Sequence, residues 1–95
     1  TLGSYSVQKK DYIKKEFTGE FELTSLSGNI TTKNNAPFIH IHVNISDEEC
    51  NAYGGHLFSA TITATCEIIL FVSNNHLYRK ESKDVGLYLW NLKCK

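Results

Sequence analysis

The sequence predicts a single, mostly β domain, and three observations support this prediction. Apolar and polar residues alternate with a period of two through residues 20–26 and 38–46, as in strands that bury one face. Threonine occupies every second position from 61 to 65 inside an apolar stretch, which favours a sheet over a helix. No segment of ten or more residues places apolar side chains at helical spacing. A chain of 95 residues is long enough for one domain, residues 1–95.

Short strands separated by polar turns are predicted for the first third of the chain. In chain order, these strands cover residues 4–7, 12–17, 20–26 and 30–32. The predicted turns lie at residues 8–11, 27–29 and 33–35, where glycine, asparagine and charged residues cluster. The first two strands are expected to form a hairpin.

The clearest strand pattern covers residues 38–46. One face carries Ile39, Ile41, Val43 and Ile45 and is predicted to be core. The other face is mixed and carries Phe38, His40, His42 and Asn44. Beyond it, we predict one strand or a bent pair of strands over 57–72 and a final strand over 87–92, while 77–84 is ambiguous.

Composition narrows the functional classes. Ten basic and ten acidic residues give zero formal net charge, whereas domains that bind DNA phosphates usually carry a basic excess. The sequence contains neither a signal peptide nor an apolar run of membrane-spanning length. Three cysteines without a C-x-x-C pair suit reduced thiols. We therefore expect a cytoplasmic protein that does not associate with membranes.

The histidines carry the strongest chemical signal. His40 and His42 are two residues apart on a predicted strand, so both imidazoles can point to one spot. His56 follows a Gly54-Gly55 pair that permits a bulge or tight turn. Three histidines are a ligand set that holds zinc and leaves one coordination position open. The sequence therefore predicts a site for zinc or another divalent metal at His40, His42 and His56.

Two carboxylates are candidates to support this site. Glu22 and Glu67 could orient an imidazole from outside the ligand set or act as acid and base. The alternative is that both are ordinary solvated strand residues, and that His40 and His42 are half-buried polar residues with a purely structural role. Sequence alone leaves these alternatives open.

A basic hairpin is a further candidate site. Lysines 9, 10, 14 and 15 surround Tyr12 and could contact phosphates, although Asp11 and Glu16 dilute the charge. The alternative interpretation is a solvated surface hairpin.

Four segments resemble the plants-and-prokaryotes-conserved (PPC) domain family in order, spacing and flanking residues. They are residues 19–30 (GEFELTSLSGNI), 37–43 (PFIHIHV), 53–57 (YGGHL) and 86–90 (GLYLW). The resemblance is to the prokaryotic stand-alone type. The strand–helix–strand unit that usually opens the domain has no counterpart in this sequence, so we expect either a truncated chain or a short variant of the domain.

This resemblance implies an α+β domain with a curved antiparallel sheet that assembles as a homotrimer. Plant members sit beside an AT-hook that grips DNA, and prokaryotic members are called DNA-binding by that association; this chain has no Arg-Gly-Arg-Pro hook. The family's histidines correspond to His40, His42 and His56, where some prokaryotic relatives bind metal. The fold is also similar to that of acetolactate decarboxylase, a zinc enzyme with three histidine ligands.

The leading hypothesis is an assembling module, partnered by other copies of itself and by DNA or a DNA-binding regulator, with a three-histidine metal or ligand site. The alternative hypothesis is a zinc-dependent enzyme of lyase or decarboxylase type that uses the same histidines, with Glu22 or Glu67 as acid or base. The sequence favours the non-enzymatic hypothesis.

Overall fold

A computed structural model describes residues 1–92 and consists of strands and irregular segments. Its seven strands are β1 (Leu2–Ser6), β2 (Asp11–Lys15), β3 (Glu22–Lys33), β4 (Ala36–Ser46), β5 (Ala52–Leu57), β6 (Arg79–Ser82) and β7 (Leu87–Trp90). Five of them form an antiparallel sheet in the order β2-β1-β5-β4-β3, and β6 pairs with β7 in a separate two-stranded sheet. The predicted antiparallel β fold is confirmed.

The helical part of the α+β prediction is wrong for residues 1–92, which contain no helix. The physical reason is already present in the sequence, where apolar residues recur at strand spacing and nowhere at helical spacing. Within the same residues, no helix is long and apolar enough to cross a membrane.

The predicted turn at residues 27–29 is also wrong, because β3 runs unbroken through it. A side chain on Gly28 would collide with the backbone carbonyl oxygen of His40 and would lie 2.8 Å from the Cα of Ile41. The glycine therefore permits close approach of β4 and does not mark a reversal of the chain.

The stretch predicted as a strand over 57–72 is irregular after Leu57, where β5 ends. Its apolar side chains are largely exposed, among them Ile69 at 82% and Phe71 at 95%. Without a neighbouring strand to share backbone hydrogen bonds, β-branched composition alone does not make a sheet.

The hairpin of β6 and β7 is attached to the edge strand β3 and lies over one face of the large sheet. The backbone N–H of Thr32 in β3 donates to the carbonyl of Leu77 at 2.9 Å, and the hydroxyl of Tyr5 in β1 donates to the carbonyl of Val85. The attached hairpin leaves a space between itself and the sheet, on the face that carries the histidines.

The opposite face of β4 forms only part of the predicted core. Val43 is 6% exposed, whereas Ile39 on the same face is 60% exposed. Leu2 of β1 is the other buried large apolar residue among those described, also at 6%. The buried core of residues 1–92 is therefore small.

Candidate metal centre

Two neighbouring strands bring the three predicted ligands together. His40 and His42 are two residues apart on β4, and His56 of β5 lies directly opposite His42 in the antiparallel register. Directly opposed residues share a face, so all three imidazoles project from the same side of the sheet. The predicted convergence of the three histidines is present in the structure.

The glycines before His56 allow a third strand to approach the site. A side chain at Gly55 would place its Cβ 2.7 Å from the carbonyl oxygen of Gly3, in the neighbouring strand β1. His56 itself lies in regular pairing within β5. The strand ends one residue later, at Leu57.

The side-chain distances are those of a ligand cluster. The Nε2 atoms of His40 and His42 are 3.2 Å apart, and one ring nitrogen from each of the three residues lies within 4.8 Å of the others. Two nitrogens bound tetrahedrally to zinc at about 2.0–2.1 Å are about 3.3 Å apart. The Nε2 atoms of His40 and His42 are therefore already at the spacing of two zinc ligands, and His56 is adjacent.

Burial and neighbouring charges favour the metal-binding, unprotonated form of two of these imidazoles, those of His40 and His56. Burial, followed by the neighbouring His42 and Arg79, holds the pKa of His40 below its usual value. Burial, followed by His40, His42 and Lys14, lowers the pKa of His56 in the same way. A metal ligand must be unprotonated, so a lowered pKa favours metal binding near neutral pH.

The nitrogens of the three histidines are suited to a metal ion. The Nδ1 atom of His56 is buried and has no hydrogen-bond partner among the described residues. A buried polar atom without a partner costs free energy unless an ion or water satisfies it. Three clustered imidazoles, one of them with an unpaired buried nitrogen, suit a borderline-soft divalent cation such as zinc.

Residues 1–74 match the family model of the Plants and Prokaryotes Conserved (PCC) domain, which is also abbreviated PPC. The chain belongs to this family. A comparison with curated protein sequences finds no match.

Solved structures agree with this assignment to the PCC family. A metal-containing protein from Archaeoglobus fulgidus is 39% identical, with a TM-score of 0.76 over 94% of this chain. A PPC protein from Pyrococcus horikoshii is 33% identical, with a TM-score of 0.79 over 98%. A protein named "putative DNA binding protein" from Bacteroides thetaiotaomicron is 27% identical, with a TM-score of 0.90 over 95%. The chain spans 63%, 65% and 63% of these proteins, respectively.

Aromatic rings hold the third histidine of this PCC domain in place. The ring centroid of His56 lies 4.9 Å from that of Tyr12 and 4.7 Å from that of Phe58. The ammonium group of Lys14 lies 4.1 Å from the centroid of the Phe58 ring. These contacts restrict the imidazole without engaging its nitrogens, which stay available for a ligand.

A cavity of about 820 Å³ adjoins the histidines, between the sheet and the β6–β7 hairpin. Its lining includes the aromatic side chains Tyr5, Tyr12, Phe38, Phe58 and Tyr88. Lys33 and Arg79 contribute positive charge, and none of the described lining residues is a carboxylate. Cavities of this volume hold small organic molecules.

Arg79 is the functional candidate that the sequence pattern missed. Its Nε donates to the hydroxyl of Thr31 at 2.8 Å, and its terminal nitrogens donate to the carbonyl of Tyr88 at 2.9 Å and to the amide oxygen of Asn29 at 3.0 Å. Its guanidinium carbon lies 4.7 Å from the ring centroid of Phe38. One signal could have found it, since it is the sole arginine in the chain.

The two candidate carboxylates are not brought to the histidines. Glu22 is exposed at the first position of β3, opposite Ser46. Glu67 is exposed in the irregular segment and lines a different cavity, which includes Leu23 and Cys66. Their role beside a metal gains no support from these positions and stays a prediction.

The four lysines of the first hairpin are exposed, as either sequence interpretation requires. Lys15 lies 5.1 Å from the Phe17 ring centroid, and Lys10 donates to the backbone carbonyl of Lys83 at 2.9 Å. Lys14 points to the histidine side of the sheet, over Phe58.

Proposed function

We propose that this PCC domain is an assembling regulatory module that binds a divalent metal, zinc in the first instance, through His40, His42 and His56. The observation that carries this proposal is the clustering of three ring nitrogens within 4.8 Å on one face of the sheet. The structural similarity to a metal-containing protein, at 39% identity, supports it. A zinc ion bound to three histidines would supply a Lewis-acidic position open to water or to a ligand oxygen.

Metal analysis tests this proposal directly. We expect about one zinc per chain in protein purified without chelator, and cobalt titration should produce the visible absorption bands of a tetrahedral site. His42→Ala should bind less than about a tenth as much metal, because it removes one of three ligands. His76→Ala is the matched control, since His76 is exposed and lies outside the cluster.

Two outcomes would contradict the metal proposal. One is wild-type protein that neither co-purifies with metal nor binds it on titration. The other is His42→Ala protein that keeps its full metal content and loses only stability, which is the result that a purely structural role predicts.

DNA association is the regulatory part of the proposal, and it rests on relatives. Two structurally similar proteins, from Bacteroides thetaiotaomicron and Ralstonia eutropha, are named "putative DNA-binding" proteins, each at 27% identity. In this chain, the exposed lysines of the first hairpin are the candidate phosphate contacts, because the net charge is zero and a local patch must supply the attraction.

Gel-shift titration at about 50 mM and about 150 mM salt tests DNA binding. We expect binding that weakens with salt. Replacement of lysines 9, 10, 14 and 15 by glutamine should reduce the slope of this salt dependence by about one for each phosphate that the variant no longer neutralises. Absence of binding at both salt concentrations would refute direct DNA binding and leave a DNA-binding regulator as the partner.

We further propose self-assembly as a homotrimer in a reducing, cytoplasmic compartment. Exposed apolar side chains in the irregular segment support assembly, since Phe71 and Val72 are 95% and 94% exposed. The free thiols of Cys50 and Cys66 suit a reducing compartment. Cys94 lies outside the described residues.

The enzymatic alternative has one observation in its favour, the cavity beside the histidines. Against it, no described residue lining that cavity is a carboxylate that could act as acid or base. Tyr12 lines it, but burial raises the pKa of its phenol and so keeps it protonated. The geometry therefore favours a binding function.

A further inference from the structure

We propose that the cavity beside the three histidines binds a small organic carboxylate, whose carboxylate group pairs with Arg79. This inference deepens the proposed function by naming a ligand class. The position of that ligand beside a metal rests on the proposed function, whereas the contact with Arg79 does not.

Arg79 is a half-buried cation, and its hydrogen-bond partners among residues 1–92 are neutral groups. Its three hydrogen-bond partners are a hydroxyl, an amide oxygen and a backbone carbonyl. No carboxylate from residues 1–92 lines its cavity. A charge removed from water needs a counter-charge to offset its desolvation, so the site is electrostatically incomplete without an anion.

The guanidinium is also fixed in position with hydrogen-bonding capacity to spare. It has five N–H donors, of which the three observed bonds engage one on Nε and one on each terminal nitrogen. One donor on each terminal nitrogen is left for a ligand. A planar guanidinium anchored in this way is matched to the two oxygens of a carboxylate.

The anion site and the histidine cluster belong to one cavity. Asn29 accepts a hydrogen bond from Arg79 and lies directly opposite His40 in the β3–β4 register. Arg79 and all three histidines line the same cavity. A carboxylate on Arg79 therefore places the rest of its molecule towards the three imidazoles.

The walls favour an organic ligand over an inorganic ion. Phe38 lies against Arg79, and the ammonium group of Lys33 is 3.8 Å from the ring centroid of Tyr88. Aromatic rings with two cations around about 820 Å³ provide apolar contact area as well as charge.

Benzoate and benzamide are a matched pair of probes that differ in charge and little in shape. Ligand-observed NMR with the full chain, in the presence of a chelator, measures their binding without any metal. We expect benzoate to bind at least about tenfold more tightly than benzamide, because hydrogen bonds between two charged groups are the strong ones. Equal affinities would overturn the proposal without recourse to any variant.

A variant pair assigns the contact to Arg79. Arg79→Met should weaken benzoate binding by about 10- to 100-fold, because it removes the charge and the paired donors. Lys80→Met is the control, since Lys80 is the next residue of β6, carries the same charge, is exposed and does not line the cavity. Arg79→Lys should restore part of the binding and shows that the loss is not one of folding. Equal benzoate affinity in Arg79→Met and Lys80→Met would overturn the assignment.

Failure of this inference is distinguishable from failure of the proposed function. Metal binding without benzoate binding would overturn the anion site and leave the metal proposal standing. Benzoate binding without metal binding would do the reverse. Displacement of benzoate by a DNA duplex would also overturn the small-molecule proposal, because it would make Arg79 a phosphate contact.

Discussion

At the scale of single residues, the burial of His40 and His56 has two opposing consequences. Each is half-buried and close to the other two imidazoles, so protonation of either ring is disfavoured. The arrangement suits a neutral ligand, but it makes the metal-free protein sensitive to acid. The same packing that prepares the site therefore links it to the stability of the sheet.

The stability of the metal-free protein should fall in mild acid. Both folded-state pKa values lie below the ordinary value of 6.5, so the unfolded chain binds more protons between the folded pKa and 6.5. The stability that these two histidines contribute is thus fully present above pH 6.5, and it is lost as the pH falls through their folded-state pKa values. Urea unfolding with a chelator, at about pH 7.5 and about pH 5.5, measures this loss.

The double variant His40→Gln and His56→Gln isolates this effect from the titration of carboxylates. Glutamine does not titrate. We therefore expect the free energy of unfolding of the double variant to fall less between the two pH values than that of the wild-type protein. Wild-type and variant protein that lose equal amounts would contradict the assignment to these histidines.

The contrast between the histidines and Arg79 shows what sequence can reveal about a site. His40 and His42 are local in sequence, and strand geometry alone predicts that they point the same way. Arg79 is 48 residues from Thr31, to which it donates, and only the folded chain brings the hairpin over that face. That it is the sole arginine could single it out, but its position beside the histidines could not be predicted from the residues near it in sequence.

At the scale of elements, the hairpin of β3 and β4 is the best specified part of the sheet. Asn34 and Asn35 connect the strands with φ angles of 51° and 62°. Two successive positive φ angles define a type I′ turn, whose twist matches that of the flanking strands. Asparagine tolerates this conformation better than most residues, and glycine tolerates it best.

Substitution of Asn35 should therefore change stability in both directions. Asn35→Gly should raise the free energy of unfolding by up to about 1 kcal/mol, because Asn-Gly is the preferred type I′ pair. Asn35→Val should lower it by about 1–2 kcal/mol, since a β-branched residue is strained at positive φ. Chemical denaturation measures both, and a more stable valine variant would refute the turn assignment.

The elements that sequence predicted correctly are those determined by local pattern. Alternation over 38–46 predicted β4, and the asparagine-rich segment at 33–35 predicted the turn before it. Gly28 led to a wrong turn prediction, because its small size allows a neighbouring strand to approach closely and a local pattern does not show that contact. The strand predicted over 57–72 was wrong after Leu57, because β-branched residues form a strand only where a partner strand lies alongside.

At the scale of the whole molecule, residues 1–92 bury few large apolar side chains. Leu2 and Val43 are the buried large apolar residues among those described, whereas many of comparable size are more than half exposed. Large exposed apolar areas mark interaction surfaces. This exposure supports the self-assembly proposed above.

Light scattering after size exclusion should give a mass about three times the chain mass of 10.8 kDa. Ile69→Lys and Phe71→Lys should each shift the protein towards smaller species, because both side chains are mostly exposed in the isolated chain and lysine is costly to bury. Thr18→Lys, at an exposed position in the loop between β2 and β3, is the control. A wild-type monomer at every concentration would refute the assembly.

The order of the strands separates two events in the folding of this chain. All three histidines lie on β4 and β5, which are joined by a short loop, so their meeting requires little loop-closure entropy. The pairing of Leu2 with Leu57, by contrast, joins the first strand to the fifth and closes most of the described chain. Contacts so distant in sequence form slowly. We therefore expect the imidazoles to assemble on a nascent hairpin, early enough for an ion to act as a nucleus around which the remaining strands condense.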